Sequence, residues 1–353
     1  MKIGILTFPL INNFGGILQA FALMQFLKSK GHQPKLIRLE NEKYLKSLFK
    51  FYIKKILSVF LNKYKDNTLV KQSESAQQFI EKHIYPTTQP INNVKSLSRL
   101  FSSEKFDTII VGSDQVFAKM SYPGFENIYS LGDKSLINTR KISYAASFGA
   151  EKYRGNSEEI AYHAENLSKF KAISVREKSG IQICKSLFDV EAVQTVDPTM
   201  LLQPSNYDML LKERHFGGRL FSYILDSSHK IAQFVQTIEK KIDTKAITIK
   251  DGNDSKENTD ILDWLSGIKN SDYVITDSFH GCLFSIIFNT PFSCIINKDR
   301  GSDRFYSLLR ELALLDRINC TDPYKTISWD TVNSKVDLLR RDSSEYLVSA
   351  LNC

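Results

Sequence analysis

Two basic side chains lie just beyond the ends of predicted strands, where they could take part in catalysis. Arg176 follows the apolar residues 173–175, and His280 follows a strand predicted over residues 273–276. In open α/β sheets, ligands bind at the carboxyl ends of the strands. A guanidinium at this edge can clamp a carboxylate or phosphate through two parallel hydrogen bonds, and an imidazole can transfer a proton.

Both residues also have a structural interpretation that the sequence leaves open. Arg176 could form an ion pair with Glu177 or with another carboxylate. His280 could be satisfied by neighbouring backbone groups at the start of a helix predicted over residues 281–288. The catalytic interpretation requires that domain closure brings the two side chains to opposite sides of one ligand.

Loops after other predicted strands supply the remaining candidate binding residues. Residues 12–16, with the sequence NNFGG, open a predicted helix, where glycines allow close approach of a ligand and backbone N–H groups bind anions. This is not the G-x-G-x-x-G fingerprint, so dinucleotide binding is not supported. A tight turn or a helix cap is the alternative for these loops. The candidate binding residues are Asn13, Gly15, Gly16, Ser113, Asp114, Gln115, Ser147, Ser278, Arg300 and Arg304.

The elements around these loops alternate between strand and helix in both halves of the chain. This order predicts two α/β domains, each with a parallel sheet. We expect a first domain over residues 1–203 and a second over 204–353, connected at residues 203–206, with a final helix that could pack back on the first domain. The predicted strands cover residues 2–8, 34–39, 106–111, 141–146, 170–175, 191–196, 219–225, 245–249, 273–276 and 291–296.

Length and composition agree with a folded, two-domain chain. The chain has 353 residues, enough for two domains of roughly 150 residues each, and its hydrophobic fraction of 42% is that of a folded protein. No apolar run reaches the ~20 residues of a membrane-spanning helix. Five scattered cysteines without metal-ligand spacing favour a reduced, cytoplasmic chain that holds no structural metal.

The net charge of +8 indicates an anionic partner. A phosphate-bearing substrate or a membrane surface fits better than nucleic acid, for which the sequence contains no recognition motif. Residues 42–65 are basic and apolar, with no acidic residue from 43 to 64, which predicts an amphipathic helical insertion that contacts anionic lipid. An ordinary helix packed on the domain is the alternative for this segment.

Seven segments, taken together and in order, make the chain resemble the polysaccharide pyruvyl transferase family. They cover roughly residues 1–315 and contain NNFGG at 12–16, GSDQ at 112–115, SYAASFG at 143–149, SVREKSG at 174–180, VDP at 196–198, DSFHG at 277–281 and RGSDRF at 300–305. The resemblance implies a glycosyltransferase-B-like fold, in which two Rossmann-like domains face each other across a cleft.

The resemblance also implies an activity. Family members transfer a pyruvyl group from phosphoenolpyruvate to a sugar of a cell-surface polysaccharide or its lipid-linked precursor, as a ketal across two hydroxyls, with no further cofactor. They carry a donor-binding Arg at the position of Arg176 and a catalytic His at that of His280. An Arg stands two residues before that His in the family. Here the position is Ser278, and Arg300 or Arg304 could replace the missing contact.

Two other functions stay open on the sequence alone. The first is a glycosyltransferase of the same fold that uses a sugar nucleotide, because the fold does not separate the two activities. The second is a non-catalytic, membrane-associated protein of a polysaccharide assembly complex. The presence of both Arg176 and His280 favours an enzyme, whereas Ser278 in place of the family's Arg slightly favours the non-catalytic alternative.

Overall fold

The structure is a computed structural model that describes residues 1–40, 72–118, 127–226, 228–249, 260–296 and 301–352. Within these ranges the chain forms two four-stranded sheets and one further strand pair. The segment predicted to contact lipid, residues 42–65, and the candidate residue Arg300 lie outside the described residues.

The first sheet belongs to the amino-terminal half. Its strands are β1 (Lys2–Leu6), β2 (Gln33–Leu36), β3 (Thr108–Val111) and β4 (Arg140–Ser143), all parallel and in the order β2-β1-β3-β4. The pair β5 (Ser174–Val175) and β6 (Val193–Gln194) continues beside β4 through isolated bridges. The helices of this half are α1 (Phe14–Ser29), α2 (Glu74–His83), α3 (Val94–Glu104), α4 (Ser157–Leu167) and α5 (Lys178–Phe188). The middle strands β1 and β3 are largely apolar, and all their residues except Lys2 are buried, as expected where both faces of a parallel sheet are covered.

The second sheet repeats this construction in the carboxyl-terminal half. Its parallel strands are β7 (Phe221–Tyr223), β8 (Ile247–Thr248), β9 (Val274–Thr276) and β10 (Phe292–Cys294), in the order β10-β9-β7-β8. The helices are α6 (Pro204–Asp208), α7 (His229–Ile242), α8 (Ile261–Lys269), α9 (Phe279–Ile287), α10 (Asp303–Glu311) and α11 (Trp329–Asn352). Helix α6 begins within residues 203–206, where the sequence places the connection between the halves.

Polar caps fix the first turns of α1 and α9 at the carboxyl edges of the two sheets. Asn13 accepts a hydrogen bond from the backbone N–H three residues further on at 3.1 Å, and Ser278 does the same at 3.3 Å. Such caps satisfy donors that have no partner within the helix. As a result, Gly15 and His280 each stand in a first helical turn, at the edge of their own sheet.

One hydrophobic core runs through both halves. Phe14, at the start of α1, packs against Tyr223 and Trp264 of the second half, with ring centroids 6.4 and 5.9 Å away. Trp264 is fully buried in this contact. Because the contact is apolar and lies next to the first turn of α1, it holds the carboxyl edges of the two sheets together.

The carboxyl-terminal helix α11 packs across the first half. The hydroxyl of Tyr346 donates to the backbone carbonyl of Ser143 at 3.0 Å, and the hydroxyl of Ser343 accepts from the backbone N–H of Val196 at 3.0 Å. The second of these bonds fixes the backbone of the residue that precedes Asp197. Neither α11 nor any other helix in the described ranges is long and apolar enough to span a membrane.

Candidate active site

The strand ends of both halves converge on one buried carboxylate, that of Asp197. This residue follows β6, and its side chain has no exposed surface. Its Oδ2 lies 2.8 Å from Nη1 of Arg176, 3.2 Å from Oγ of Ser113 and 3.4 Å from Nε2 of His280. Arg176 and His280, which the sequence indicates as separate strand-end groups, therefore meet at one anion.

The second oxygen of Asp197 is occupied as well. Oδ1 accepts hydrogen bonds from the backbone N–H of Thr199 at 3.0 Å and from its hydroxyl at 2.8 Å. Burial acts to raise the pKa of this carboxyl, but His280, Arg176 and the hydrogen bonds outweigh it and hold the pKa well below its usual range. Asp197 is therefore ionised at neutral pH, with partners on both oxygens.

Arg176 keeps one edge of its guanidinium without a partner. Nη1 pairs with Asp197, whereas Nη2 lies 3.8 Å from Oδ1 of Asp114, too far for a hydrogen bond. Nε and Nη2 are buried and have no hydrogen-bond partner among the described residues. These two N–H groups form an edge that can bind a carboxylate or phosphate in a bidentate manner. The ion pair that the sequence left open as an alternative is thus present, but it uses Nη1 and leaves this edge unused.

Two arginines contact the ring of Phe279. Cζ of Arg176 lies 4.7 Å and Cζ of Arg304 lies 5.3 Å from its centroid. Stacking orients a planar guanidinium while leaving its in-plane N–H groups available for anions. Arg304, from the first turn of α10, therefore brings a second positive charge next to Arg176.

His280 packs against the backbone of Gly15. A Cβ on Gly15 would stand 2.0 Å from Nδ1 and 2.2 Å from Cγ of the imidazole, which no side chain could tolerate. The sequence predicts a glycine here for close approach of a ligand. In the structure, the group that makes this approach is the imidazole of the opposite half.

A second buried carboxylate organises the loop that contains Ser147. Oε1 of Glu177 accepts from the Ser147 hydroxyl at 3.0 Å and from the backbone N–H groups of Phe148 and Gly149 at 2.6 and 3.3 Å. Burial raises the pKa of Glu177. Gln115 packs on the same loop, since a Cβ on Gly149 would stand 2.8 Å from its Cδ. The structure therefore places Ser147 and Gln115 at one loop, which Glu177 holds next to Arg176.

Some of the remaining candidates contact Asp197 or Arg176, and the others cap the helices that carry the site. Ser113 contacts the central carboxylate, and Asp114 faces the guanidinium with φ of +80°, a left-handed conformation that residues other than glycine adopt infrequently. Asn13 and Ser278 cap helices, and Gly16 supplies the backbone N–H for the first of these caps. The capping residues Asn13, Gly16 and Ser278 therefore position the helices, and their polar groups are used in the caps.

Sequence reasoning did not select three residues that shape this site. In the sequence, Asp197 and Phe279 stand out only as members of the VDP and DSFHG segments, and Glu177 only as a possible ion-pair partner of Arg176. A usable signal exists for all three, because each directly follows a strand or adjoins a selected residue. The carboxyl ends of parallel strands meet at one edge of a sheet, so residues that follow neighbouring strands lie close together.

Neither a metal-ligating cluster nor a readily ionised buried thiol is found at the positions discussed below, within the part of the chain that the structure describes. These residues contain no group of three or more His, Cys, Asp or Glu side chains placed to hold a metal ion. The cysteines among them carry free thiols. Burial raises the pKa of Cys184 to about 12 and that of Cys282 well above its ordinary value, which disfavours a thiolate nucleophile at either position.

Solved structures of two enzymes share this architecture. UDP-GlcNAc 2-epimerase from Neisseria meningitidis, bound to UDP-GlcNAc, is 12% identical with a TM-score of 0.51, and the match covers 99% of each chain. UDP-GlcNAc 2-epimerase from Methanocaldococcus jannaschii is 13% identical with a TM-score of 0.50, over 100% of this chain and 99% of that chain. At such identity the likeness concerns the fold alone. It confirms the predicted glycosyltransferase-B-like arrangement of two Rossmann-like domains.

The family model of the polysaccharide pyruvyl transferases matches residues 13–299, a span that contains Gly15, Arg176, Asp197 and His280. The chain therefore belongs to the polysaccharide pyruvyl transferase family, as the sequence motifs predict. No curated protein sequence matches the chain.

Proposed function

We propose that the protein transfers the pyruvyl group of phosphoenolpyruvate to a sugar of a cell-surface polysaccharide, or of its lipid-linked precursor. The observation that carries this proposal is the unpartnered Nε and Nη2 edge of the buried Arg176, which lies in one site with His280. Phosphoenolpyruvate has a phosphate and a carboxylate, and either group suits this edge. Membership in the family supports the same class of reaction.

The reaction forms two C–O bonds at C2 of the donor and one C–H bond at its methylene carbon, and it breaks the bond between C2 and the phosphate oxygen. Protonation of the methylene carbon makes C2 cationic, and the first sugar hydroxyl attacks it. Loss of inorganic phosphate and attack by the second hydroxyl then close the ketal. One hydroxyl proton balances the proton delivered to the methyl group, and the other leaves with phosphate, so neither an oxidant nor a reductant is needed.

Each of the two central residues has one role in this scheme. Arg176 binds the phosphate or carboxylate of the donor, and His280 transfers a proton, either to the methylene carbon or from the attacking hydroxyl. A positioned acid or base contributes typically ~10²–10⁴-fold to a rate. Arg176 and His280 are only 4% and 6% exposed. Such burial keeps away water, which would otherwise trap the cationic intermediate.

Arg304 supplies a second contact to the donor. Ser278 stands where the family has an Arg, and its hydroxyl is used to cap α9. Arg304 shares the ring of Phe279 with Arg176, so its charge enters the site from a different element. This arrangement supports two cationic contacts for a donor that carries two anionic groups.

A sugar nucleotide is the second candidate donor. The Neisseria meningitidis epimerase of similar fold is bound to UDP-GlcNAc, and a diphosphate would also suit the edge of Arg176. Thermal-shift or saturation-transfer measurements with phosphoenolpyruvate and UDP-GlcNAc separate the candidates. Binding of neither compound would favour the non-catalytic assembly protein.

Replacing Arg176 with Ala is expected to weaken phosphoenolpyruvate binding by roughly 10- to 100-fold, because a charge-assisted hydrogen bond contributes ~1.5–3 kcal/mol. Arg176→Lys should restore only part of the affinity, since an ammonium lacks the two-pronged edge. The dissociation constant is measured by isothermal titration, and thermal unfolding verifies that the variants are folded. Arg219→Ala, at an exposed arginine of the second half, is the matched control. Wild-type affinity in Arg176→Ala would remove the donor-binding assignment.

Contact with anionic membrane lipid is proposed for residues 42–65, on their basic and apolar sequence alone. We expect the full chain to float with vesicles that contain anionic lipid and not with neutral vesicles. Changing Lys50, Lys54 and Lys55 to Glu should abolish flotation, because the electrostatic attraction is reversed. If the wild type does not float, or if this variant floats equally well, the proposal is wrong.

A further inference from the structure

We propose that Asp197 is the positioning residue of this site. Its carboxylate holds the imidazole of His280 in the tautomer with the proton on Nε2, and the same oxygen fixes the guanidinium of Arg176. The inference deepens the proposed function and rests on it for its kinetic readout only. Neither the sequence motifs nor the family match assigns a role to Asp197.

The geometry singles out one oxygen. Oδ2 of Asp197 lies 2.8 Å from Nη1 of Arg176, in the first half, and 3.4 Å from Nε2 of His280, in the second half. Among the described residues, Asp197 is the carboxylate that pairs with both of these groups. The orientation of the proton-transfer group and that of the donor-binding group are therefore set by one anion.

Asp197 acts through its neighbours and not on the substrate. Thr199 donates twice to Oδ1, and Oδ2 already faces Ser113, Arg176 and His280. The side chain has no exposed surface. A substrate would have to displace an existing partner to reach either oxygen.

The carboxylate determines which ring nitrogen of His280 carries the proton. Nε2 makes no hydrogen bond within the described residues, so its contact with Oδ2 of Asp197 is electrostatic. A lone pair on Nε2, 3.4 Å from an anionic oxygen, would be repelled, whereas an N–H is attracted. The neutral ring therefore has its proton on Nε2. Nδ1, which lies against Gly15, is then the nitrogen that carries a lone pair and can accept a proton. A buried carboxylate orients the catalytic histidine of Ser-His-Asp enzymes by the same principle.

The first test reads the tautomer directly and does not depend on any donor. In ¹⁵N-histidine-labelled full chain, long-range ¹H–¹⁵N correlations show which nitrogen carries the proton, and the His280 signals are assigned by their loss in His280→Ala. We expect the Nε2–H pattern in the wild type and a changed pattern in Asp197→Asn. An Nδ1–H pattern in the wild type would overturn the proposal even if Asp197→Asn does not fold.

The second test is a double-mutant cycle on turnover of phosphoenolpyruvate. Asp197→Asn should lower kcat by roughly 10- to 100-fold, because the ring is no longer held in one tautomer. In a His280→Ala background the same change should lower kcat at saturating donor by less than about threefold, since the imidazole is already gone and the remaining contact, with Arg176, acts on donor affinity. A full additional loss in that background would indicate a merely structural role and overturn the inference. Absence of wild-type turnover, with the Nε2–H pattern present, would count against phosphoenolpyruvate as donor but leave the role of Asp197 intact.

Discussion

His280→Ala is expected to reduce turnover of phosphoenolpyruvate by about 10²-fold or more, because the variant lacks the group that transfers a proton. Donor affinity should change much less, since the binding edge belongs to Arg176 on the other half. The loss should therefore appear in kcat and not in the dissociation constant of the donor. Phosphate release under saturating donor and a working acceptor measures it.

His229→Ala is the matched control for this variant. His229 is also in the first turn of a helix, at the start of α7, but it is exposed. We expect wild-type kcat from this control. Near wild-type turnover in His280→Ala would mean that His280 has only a structural role at the start of α9, and the catalytic assignment would be wrong.

Gly15→Ala is expected to reduce turnover by about 10²-fold, although it adds only one methyl group and changes no charge. The new Cβ would lie 2.0 Å from Nδ1 of His280, so the ring has to move by an ångström or so. Displacement of a catalytic group by about 1 Å costs about 10²-fold. Phosphate release measures the loss, and thermal unfolding shows whether the variant is folded.

Gly16→Ala, one residue further along α1, controls for the change of glycine to alanine in this helix. A Cβ there would meet Asn13 at 3.2 Å, a contact that a small shift of the amide side chain relieves. The backbone N–H that completes the helix cap is retained, and alanine favours a helix more than glycine by about 1 kcal/mol. Gly16→Ala should therefore stay within about threefold of wild type. Equal losses in both variants would contradict the contact between Gly15 and His280.

Most strands could be predicted because each is a short apolar run that ends in polar or glycine residues. The strand predicted over residues 106–111 is observed at Thr108–Val111, and that over residues 2–8 at Lys2–Leu6. The strand predicted over residues 170–175 is observed at Ser174–Val175, with one isolated bridge at Ala172. Side-chain patterns show where a strand exists, but pairing with its neighbour decides where it ends.

The candidate site could be predicted only in part, for a related reason. Arg176 and His280 stand out because a basic residue follows a buried strand in each case. Asp197 has the same position after its strand, yet its partners belong to distant parts of the chain. The pairing of β5 with β6 brings Arg176 to this carboxylate, and the packing of the two halves brings His280 to the same oxygen. The start of α9 shows the same limit: the predicted helix begins at residue 281, but the cap at Ser278 places His280 inside the first turn.

Incubation of the full chain with phosphoenolpyruvate and a panel of simple glycosides tests the central claim most directly. Released phosphate and the mass of the sugar product are measured in the same sample, and His280→Ala serves as the inactive reference. The account predicts equal amounts of phosphate and of a product heavier by one pyruvate ketal, both of which disappear in the variant. Turnover of a sugar nucleotide, without phosphate release from phosphoenolpyruvate on any glycoside, would contradict it.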